Sequence, residues 1–318
     1  MFIASKTAFN VYSKFNTLRK YPEIASLFPT KLHAYYDQTE RRLTRFGCLM
    51  NSDDNTEKVR TSGVQDIIRL KNDWNAAWIS YLLQLDDWLL KGDLHHIIFR
   101  KLALQRATHA RLMNAHATIK QLVILGSGLD HLGWLFSDKC PSFELDIKPM
   151  ISYKMKLSPI LKQKVHFIDF NAMNDSLEQC LTLHSAFNSS EACLFITEGF
   201  IDYIPKKNLE SLVSQIKRIH PENEWISTHF DRSLLNSKQR FFFELGVQIT
   251  GEQLQANLTK EQIISIGYNN GFVLEHEWAS IPELLDEQTI PIKSKLNTIE
   301  KKVLNRKNMN GCTVMHFK

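Results

Sequence analysis

Nothing in this 318-residue sequence approaches the ~18 uninterrupted apolar residues that a membrane-spanning helix needs. The most apolar stretch, residues 76–90, is broken by Gln84, Asp86 and Asp87. Twelve glycines and nine prolines are too few for a collagen-like or low-complexity chain. Cysteine is scarce and scattered: Cys48, Cys140, Cys180, Cys193 and Cys312 form no C-x-x-C pair, and their number is odd. That spacing argues against structural zinc and disulfides and for a reducing compartment. The opening residues, MFIASKTAFNVYSKFN, lack the continuous apolar core of a signal peptide, so a cytoplasmic location is expected. Beyond residue 50 there is no net charge. The whole excess of +5 lies in the first fifty residues, and the body gives no electrostatic case for nucleic acid.

What is present is an ordinary globular composition, 43% apolar and 23% charged, which excludes a disordered chain. The pattern changes near residue 120. Before it the spacing is helical. Trp74, Trp78, Leu82, Leu85 and Leu89 recur at three- and four-residue steps over residues 75–90, and 94–114 form a second amphipathic stretch. After it, seven short apolar runs alternate with helical segments: 121–126, 142–147, 165–170, 192–199, 225–231, 272–278 and 312–318. Strands alternating with helices predict a parallel sheet covered on both faces. The irregular connection 279–311 suits an antiparallel final strand. A helical insertion is expected over about 232–260, where Phe241, Phe242, Phe243, Leu245 and Val247 read as too apolar to face water. The expected organisation is an N-terminal helical segment or lid, 1–105, and a core, 106–318.

The chemistry concentrates at the ends of the first four strands. Gly126-Ser127-Gly128 follows the first strand and precedes a helix, where glycine permits a sharp turn and close approach of a ligand. Asp146 stands twenty residues past Gly126, at the end of the second strand, where a carboxylate accepts both hydroxyls of a ribose. A dinucleotide fingerprint needs a third glycine where His131 stands. A nucleoside cofactor without phosphates does not, and S-adenosylmethionine, with its sulfonium and amino acid tail, asks for acids instead. Asp169 ends the third strand, in position for an adenine amino group, and Glu198, beside Gly199, ends the fourth, facing the cofactor's ammonium end. Each of these residues also has a plainer reading as a turn, a cap or a surface acid.

The motifs QLVILGSGLD (121–130), FELD (143–146), DF (169–170) and TEGFIDYIP (197–205) resemble those of the leucine carboxyl methyltransferase family of class I S-adenosylmethionine-dependent methyltransferases. The resemblance spans about 55–275 and is strongest over 121–231. It implies a doubly wound α/β fold: a seven-stranded, mostly parallel sheet with its last strand antiparallel, and an N-terminal helical segment that helps close the site. It also implies that Gly126, Ser127 and Gly128 lie under the cofactor, that Asp146 with Ile147 beside it holds the ribose, that Asp169 and Phe170 flank the adenine, and that Glu198 and Gly199 sit near the methionine part. A basic residue gripping the cofactor's carboxylate is matched best by Arg100, then Arg106; an upstream family lysine falls on Lys71, or on Arg69 if the register slips. The family often has Thr where this chain has His131.

Methyl transfer from a sulfonium is an in-line displacement that needs positioning and exclusion of water, and a carboxylate acceptor needs no base. The expected activity is therefore O-methylation of a carboxylate, a protein C-terminus or a small acid. A hydroxyl acceptor needs a base, for which His229 is the sequence candidate, with Arg100 and Tyr203 as substrate-orienting candidates. The alternatives are an NAD(P)-dependent oxidoreductase on a similar sheet, and an inactive cofactor-binding interaction protein.

Overall fold

The computed structural model describes residues 5–49, 84–85, 87–113, 118–158, 161, 164–250, 253–285, 297–305 and 311–318. Lys71 and most of the helix expected over 75–90 lie outside them.

Seven strands form one sheet: β1 (Gln121–Leu125), β2 (Ser142–Asp146), β3 (His166–Asp169), β4 (Cys193–Thr197), β5 (Glu224–Phe230), β6 (Leu274–Trp278) and β7 (Cys312–Phe317). Their order is β3-β2-β1-β4-β5-β7-β6. β3, β2, β1, β4 and β5 pair in parallel, and β7 runs antiparallel to both β5 and β6. All seven runs read from the sequence are strands. β1, β4 and β5 are buried along their whole length, as both-face coverage demands. β6, at one edge, exposes Glu275, His276 and Glu277, charge and polarity that discourage pairing with another chain.

The N-terminal helices α1 (Lys6–Leu18), α2 (Pro22–Ala25) and α3 (Thr30–Leu49) cover one face with α4 (Asp93–Met113). Ser5 caps α1 by accepting the Ala8 amide at 3.0 Å. Phe9, Tyr12, Phe15 and Leu18 recur at helical spacing and are buried beside Tyr36, Leu102, Leu122 and Ile124. Burying each such side chain is worth about 1.5–3 kcal/mol. Residue 105 falls inside α4, and side chains from both sides of it enter that one apolar cluster. The other face is covered by α7 (Leu177–Thr182), α8 (Lys206–Ile219) and α10 (Lys260–Asn269), packed on Val123, Phe195 and Trp225. α5 (Leu132–Phe136) follows the glycine turn and α6 (Lys148–Leu157) follows β2. α9 (Ser237–Thr250) lies in the insertion, but Phe241 is 61% exposed and Leu245 39%, against the expectation that both are covered. Phe243 alone of the triplet joins a small cluster with Phe230, Leu235, Leu90 and Cys312. α11 (Ile281–Leu284) and α12 (Thr298–Asn305) complete the described helices.

Four of the eight basic residues in the first fifty form ion pairs. Lys14 pairs with Asp93, Arg19 with Asp37, Lys20 with Glu40 and Lys31 with Asp138. No helix among the described residues is long and apolar enough to cross a membrane, and none of their His, Cys, Asp and Glu clusters could hold a metal. Among the described cysteines, Cys193 and Cys312 are buried, and Cys193 is a free thiol.

Candidate cofactor site

β1 delivers the chain into Gly126-Ser127-Gly128 at the carboxyl edge of the sheet. Gly126 has φ +64° and Gly128 φ +46°, a left-handed backbone that other residues enter only with strain. The Gly128 amide donates to Asp146 Oδ2 at 2.8 Å, and the Ile147 amide donates to Asp146 Oδ1 at 2.8 Å. The acid at the end of β2 is thereby locked onto the glycine turn. Burial raises its pKa, and the two amides work against that rise. Ile147, next to it, stays 47% exposed, an apolar surface of the kind a planar base covers. Asp169 is exposed at the end of β3, whereas Phe170 is buried in the core and has no free face for a ligand.

A four-charge cluster stands beside the turn. Glu198, at the end of β4, is met by Arg100 Nε at 2.8 Å and Lys101 Nζ at 2.7 Å. Lys101 Nζ also reaches Asp130 Oδ1 at 2.9 Å. Both cations come from α4, and all four side chains are nearly inaccessible to solvent. The Arg100 head lies 3.8 Å from where a Gly199 side chain would begin. Asp130 Oδ1 further accepts the His131 amide at 2.7 Å and faces His131 Nδ1 at 3.1 Å. Burial pushes the Asp130 carboxyl up, but Lys101 and His131 hold it well below the ordinary range. His131 stacks on Phe15, its rings 5.8 Å apart, and its Nδ1 lies 3.2 Å from the Tyr36 hydroxyl, tying α1 and α3 to the turn. Burial lowers the His131 pKa, and Asp130 works against that fall. Adjacent to Arg100, Lys101 was open to the same reading from sequence; Asp130, inside the glycine motif, carried no separate signal.

Other candidates are placed elsewhere. Arg106 donates to the Leu284 carbonyl at 3.0 Å, away from the turn. His229 lies buried on the β5 face that carries Trp225, its pKa pushed down to about 4 by burial. Tyr203 closes a 3-10 turn, Ile201–Tyr203, directly after the β4 loop.

The arrangement suits a nucleoside bearing an amino acid. An acid and a glycine turn meet at the carboxyl ends of β1 and β2. Two cations and two carboxylates stand beside them, and Asp130 Oδ2, Glu198 Oε1 and Arg100 Nε are buried without a hydrogen bond. Two side chains crowd the entrance. The Phe200 ring packs on Gly126, and Ala8 Cβ stands 3.2 Å from a Cβ built on Gly128, so a ligand reaching the turn displaces Phe200.

Residues 72–217, just under half of the chain, match the model of a family described as leucine carboxyl methyltransferase, in agreement with the resemblance of the motifs. A candidate S-adenosyl-L-methionine-dependent methyltransferase of Mycobacterium ulcerans is 28% identical over 122 residues, 36% of this chain and 38% of that protein. One of Mycobacterium marinum, also a candidate S-adenosyl-L-methionine-dependent methyltransferase, is 26% identical over 122 residues, with the same coverage. The chain thus spans well under half the length of the curated relatives it matches. Among solved structures, a candidate methyltransferase of Thermobifida fusca superposes with a TM-score of 0.51 at 14% identity, over 75% of this chain and 87% of that one, a likeness of fold.

Proposed function

We propose that this chain, with the family likeness just described as premise, binds S-adenosylmethionine and transfers its methyl group to an acceptor oxygen. The observation that carries the reading is Asp146 held on the Gly128 amide at the carboxyl edge of β1 and β2, beside a charge cluster instead of a phosphate site. The rival dinucleotide reading needs open space at position 131, at the start of α5. His131 fills it with a fully buried ring.

In this reading Asp146 holds the ribose hydroxyls, Ile147 borders the base, and Arg100 with Lys101 receives the cofactor's carboxylate. The cofactor supplies an activated methyl on sulfur. The protein aligns acceptor and sulfonium and excludes water. The acceptor that the family likeness favours is a carboxylate, ionised at neutral pH and in need of no base. The buried free thiol of Cys193 supports a reducing, cytoplasmic setting.

A second acceptor has one observation behind it. His96 Nδ1 lies 3.9 Å from Asp93 Oδ1, one turn of α4 before Arg100, and the His96 ring stacks near Phe230 at the carboxyl end of β5. A histidine beside an acid there would serve a hydroxyl acceptor, the role the sequence reading gave to His229.

Calorimetry with S-adenosylhomocysteine on the wild type and Asp146→Ala tests the cofactor. The wild type binds, and the variant loses most affinity, because hydrogen bonds to a charged acceptor are worth about 1.5–3 kcal/mol each. Tighter binding of NADH than of S-adenosylhomocysteine overturns the reading.

A further inference from the structure

The insertion after β5 carries apolar side chains that nothing among the described residues covers. On α9, Lys238, Phe241 and Leu245 recur at helical spacing on one face. Phe241 and Leu245 are exposed, as are Leu234, in the 3-10 turn that precedes the helix, and Trp88. Lys238 Nζ lies over the Trp88 ring, 3.8 Å from its centre. Large apolar groups gathered on a surface mark a place where something binds. This strip borders the candidate site. Phe243, on the other side of α9, packs on Phe230 with ring centres 4.6 Å apart, and the His96 ring stacks near Phe230 one turn of α4 before Arg100. The charge around the strip is of one sign. Arg232, Lys238 and Arg240 form no ion pair among the described residues, and Glu244 is the only acid in α9. Arg232 gives one N–H to the Ala256 carbonyl, and the Ala256 amide donates to the Asp202 carbonyl. Arg232 is thereby tied to the turn after β4, four residues past Glu198. The carboxyl that faces it is that of Asp202, which burial pushes up to about 7, so near neutral pH it cancels only part of the arginine's charge.

Building on the methyl-transfer reading above, we infer that the acceptor is an amphiphilic carboxylate, its anionic head drawn to Arg232 and its apolar body laid along Trp88, Leu234, Phe241 and Leu245. Cations framing an apolar strip match both halves of such a molecule. A second copy of this chain fits worse, because a two-fold interface would set the same cations against one another. In the transfer the carboxylate oxygen bonds to the methyl carbon as the methyl–sulfur bond breaks. The electron pair of that bond stays on sulfur, and no proton moves.

The test titrates decanoate, decanamide and hexanoate into the protein by calorimetry, with S-adenosylhomocysteine present. The wild type is expected to bind decanoate roughly 10-fold or more tighter than decanamide, which has the same chain without the charge. Hexanoate is expected to bind more weakly by about 2- to 4-fold for each methylene removed. Arg232→Gln is expected to lose the preference for decanoate over decanamide and to keep the dependence on chain length. Phe241→Ser with Leu245→Ser, both at exposed positions, is expected to do the reverse. Equal affinity of the wild type for decanoate and decanamide, or no binding of either, overturns the inference, and so does an unchanged response in both variants. Two further measurements identify a rival occupant in place of the acceptor. A wild-type dimer in light scattering that the double variant dissociates assigns the strip to a second copy. Sedimentation with phosphatidylglycerol vesicles that the double variant abolishes assigns it to a lipid surface. A wild type that does not bind S-adenosylhomocysteine refutes the cofactor reading, and the decanoate titration of the protein alone then judges the strip separately.

Discussion

The ring of Phe200 lies directly against the backbone of Gly126, in the space a side chain at 126 would fill. The first glycine is thus required twice, once for its φ of +64° and once for this contact. Gly126→Ala is expected to destabilise the fold by about 2–4 kcal/mol in chemical denaturation, from backbone strain and overpacking combined. Phe200→Ala, by uncovering the turn, is expected to bind S-adenosylhomocysteine at least as tightly as the wild type. Weaker binding would show that the ring is a wall of the site and not its cover.

Lys154 and Glu144 form a fully buried ion pair at 2.5 Å beneath the glycine turn, with Glu144 Oε1 left unbonded. Burial raises the Glu144 pKa despite Lys154. Lys154→Met strands the carboxyl and is expected to cost about 3–5 kcal/mol, whereas Lys154→Met with Glu144→Gln is expected to recover much of that loss. Urea melts of the two variants check it. A single variant as stable as the wild type would mean that the pair contributes nothing.

His95 bridges α4 to the C-terminal helices. Its Nδ1 donates to the Val303 carbonyl at 2.6 Å and its Nε2 accepts the Ile281 amide at 3.4 Å. Burial lowers its pKa from 6.5 to about 4. Between these values the unfolded chain binds a proton that the folded one refuses, so His95 makes stability rise with pH across that window and fall as acid is added. The contribution is on the order of 3 kcal/mol, complete above pH 6.5. Asp202 acts in the opposite sense: burial raises its pKa to about 7, so the folded form keeps a proton that the unfolded form has lost. His95→Gln isolates the first effect. The gap between wild type and variant is expected to narrow as the pH drops from 6.5 to 4, and a constant gap would refute it.

If the acceptor is a hydroxyl, His96→Gln is expected to leave the affinity for S-adenosylhomocysteine within about twofold, less than half a kcal/mol. The same variant removes the acid limb of the kcat profile. Burial lowers the His96 pKa, against Asp93 and alongside Arg100 and Lys14, and the neighbouring His95 stays neutral, so that limb lies below pH 6.5. An unchanged pH profile would leave the carboxylate acceptor as the sole reading.

The sheet was legible because each strand is a local pattern. β1, β4 and β5 are short apolar runs ended by Gly126, Gly199 and Asp231, and burial on both faces leaves few other sequences open to them. Gly126, Gly128 and Asp146 were legible for a related reason: a turn at a strand end demands particular residues at a fixed spacing. A strand pattern does not say which face of β5 carries His229 or how deeply it is buried. Phe241 and Leu245 were misread because apolarity states a preference for burial without supplying a partner.

The sequence alone determined the order of strands and helices, the glycine turn and the acid that meets it, all set by neighbours close along the chain. Only the tertiary structure decided that Lys101 joins Asp130 to Glu198, that Phe200 covers Gly126 and that one oxygen of Asp130 is left without a donor. Those partners are 29, 97 and 74 residues apart. Contacts across such distances arise from the packing of α4 and the β4 loop on the carboxyl edge of the sheet, which no local pattern of residues encodes.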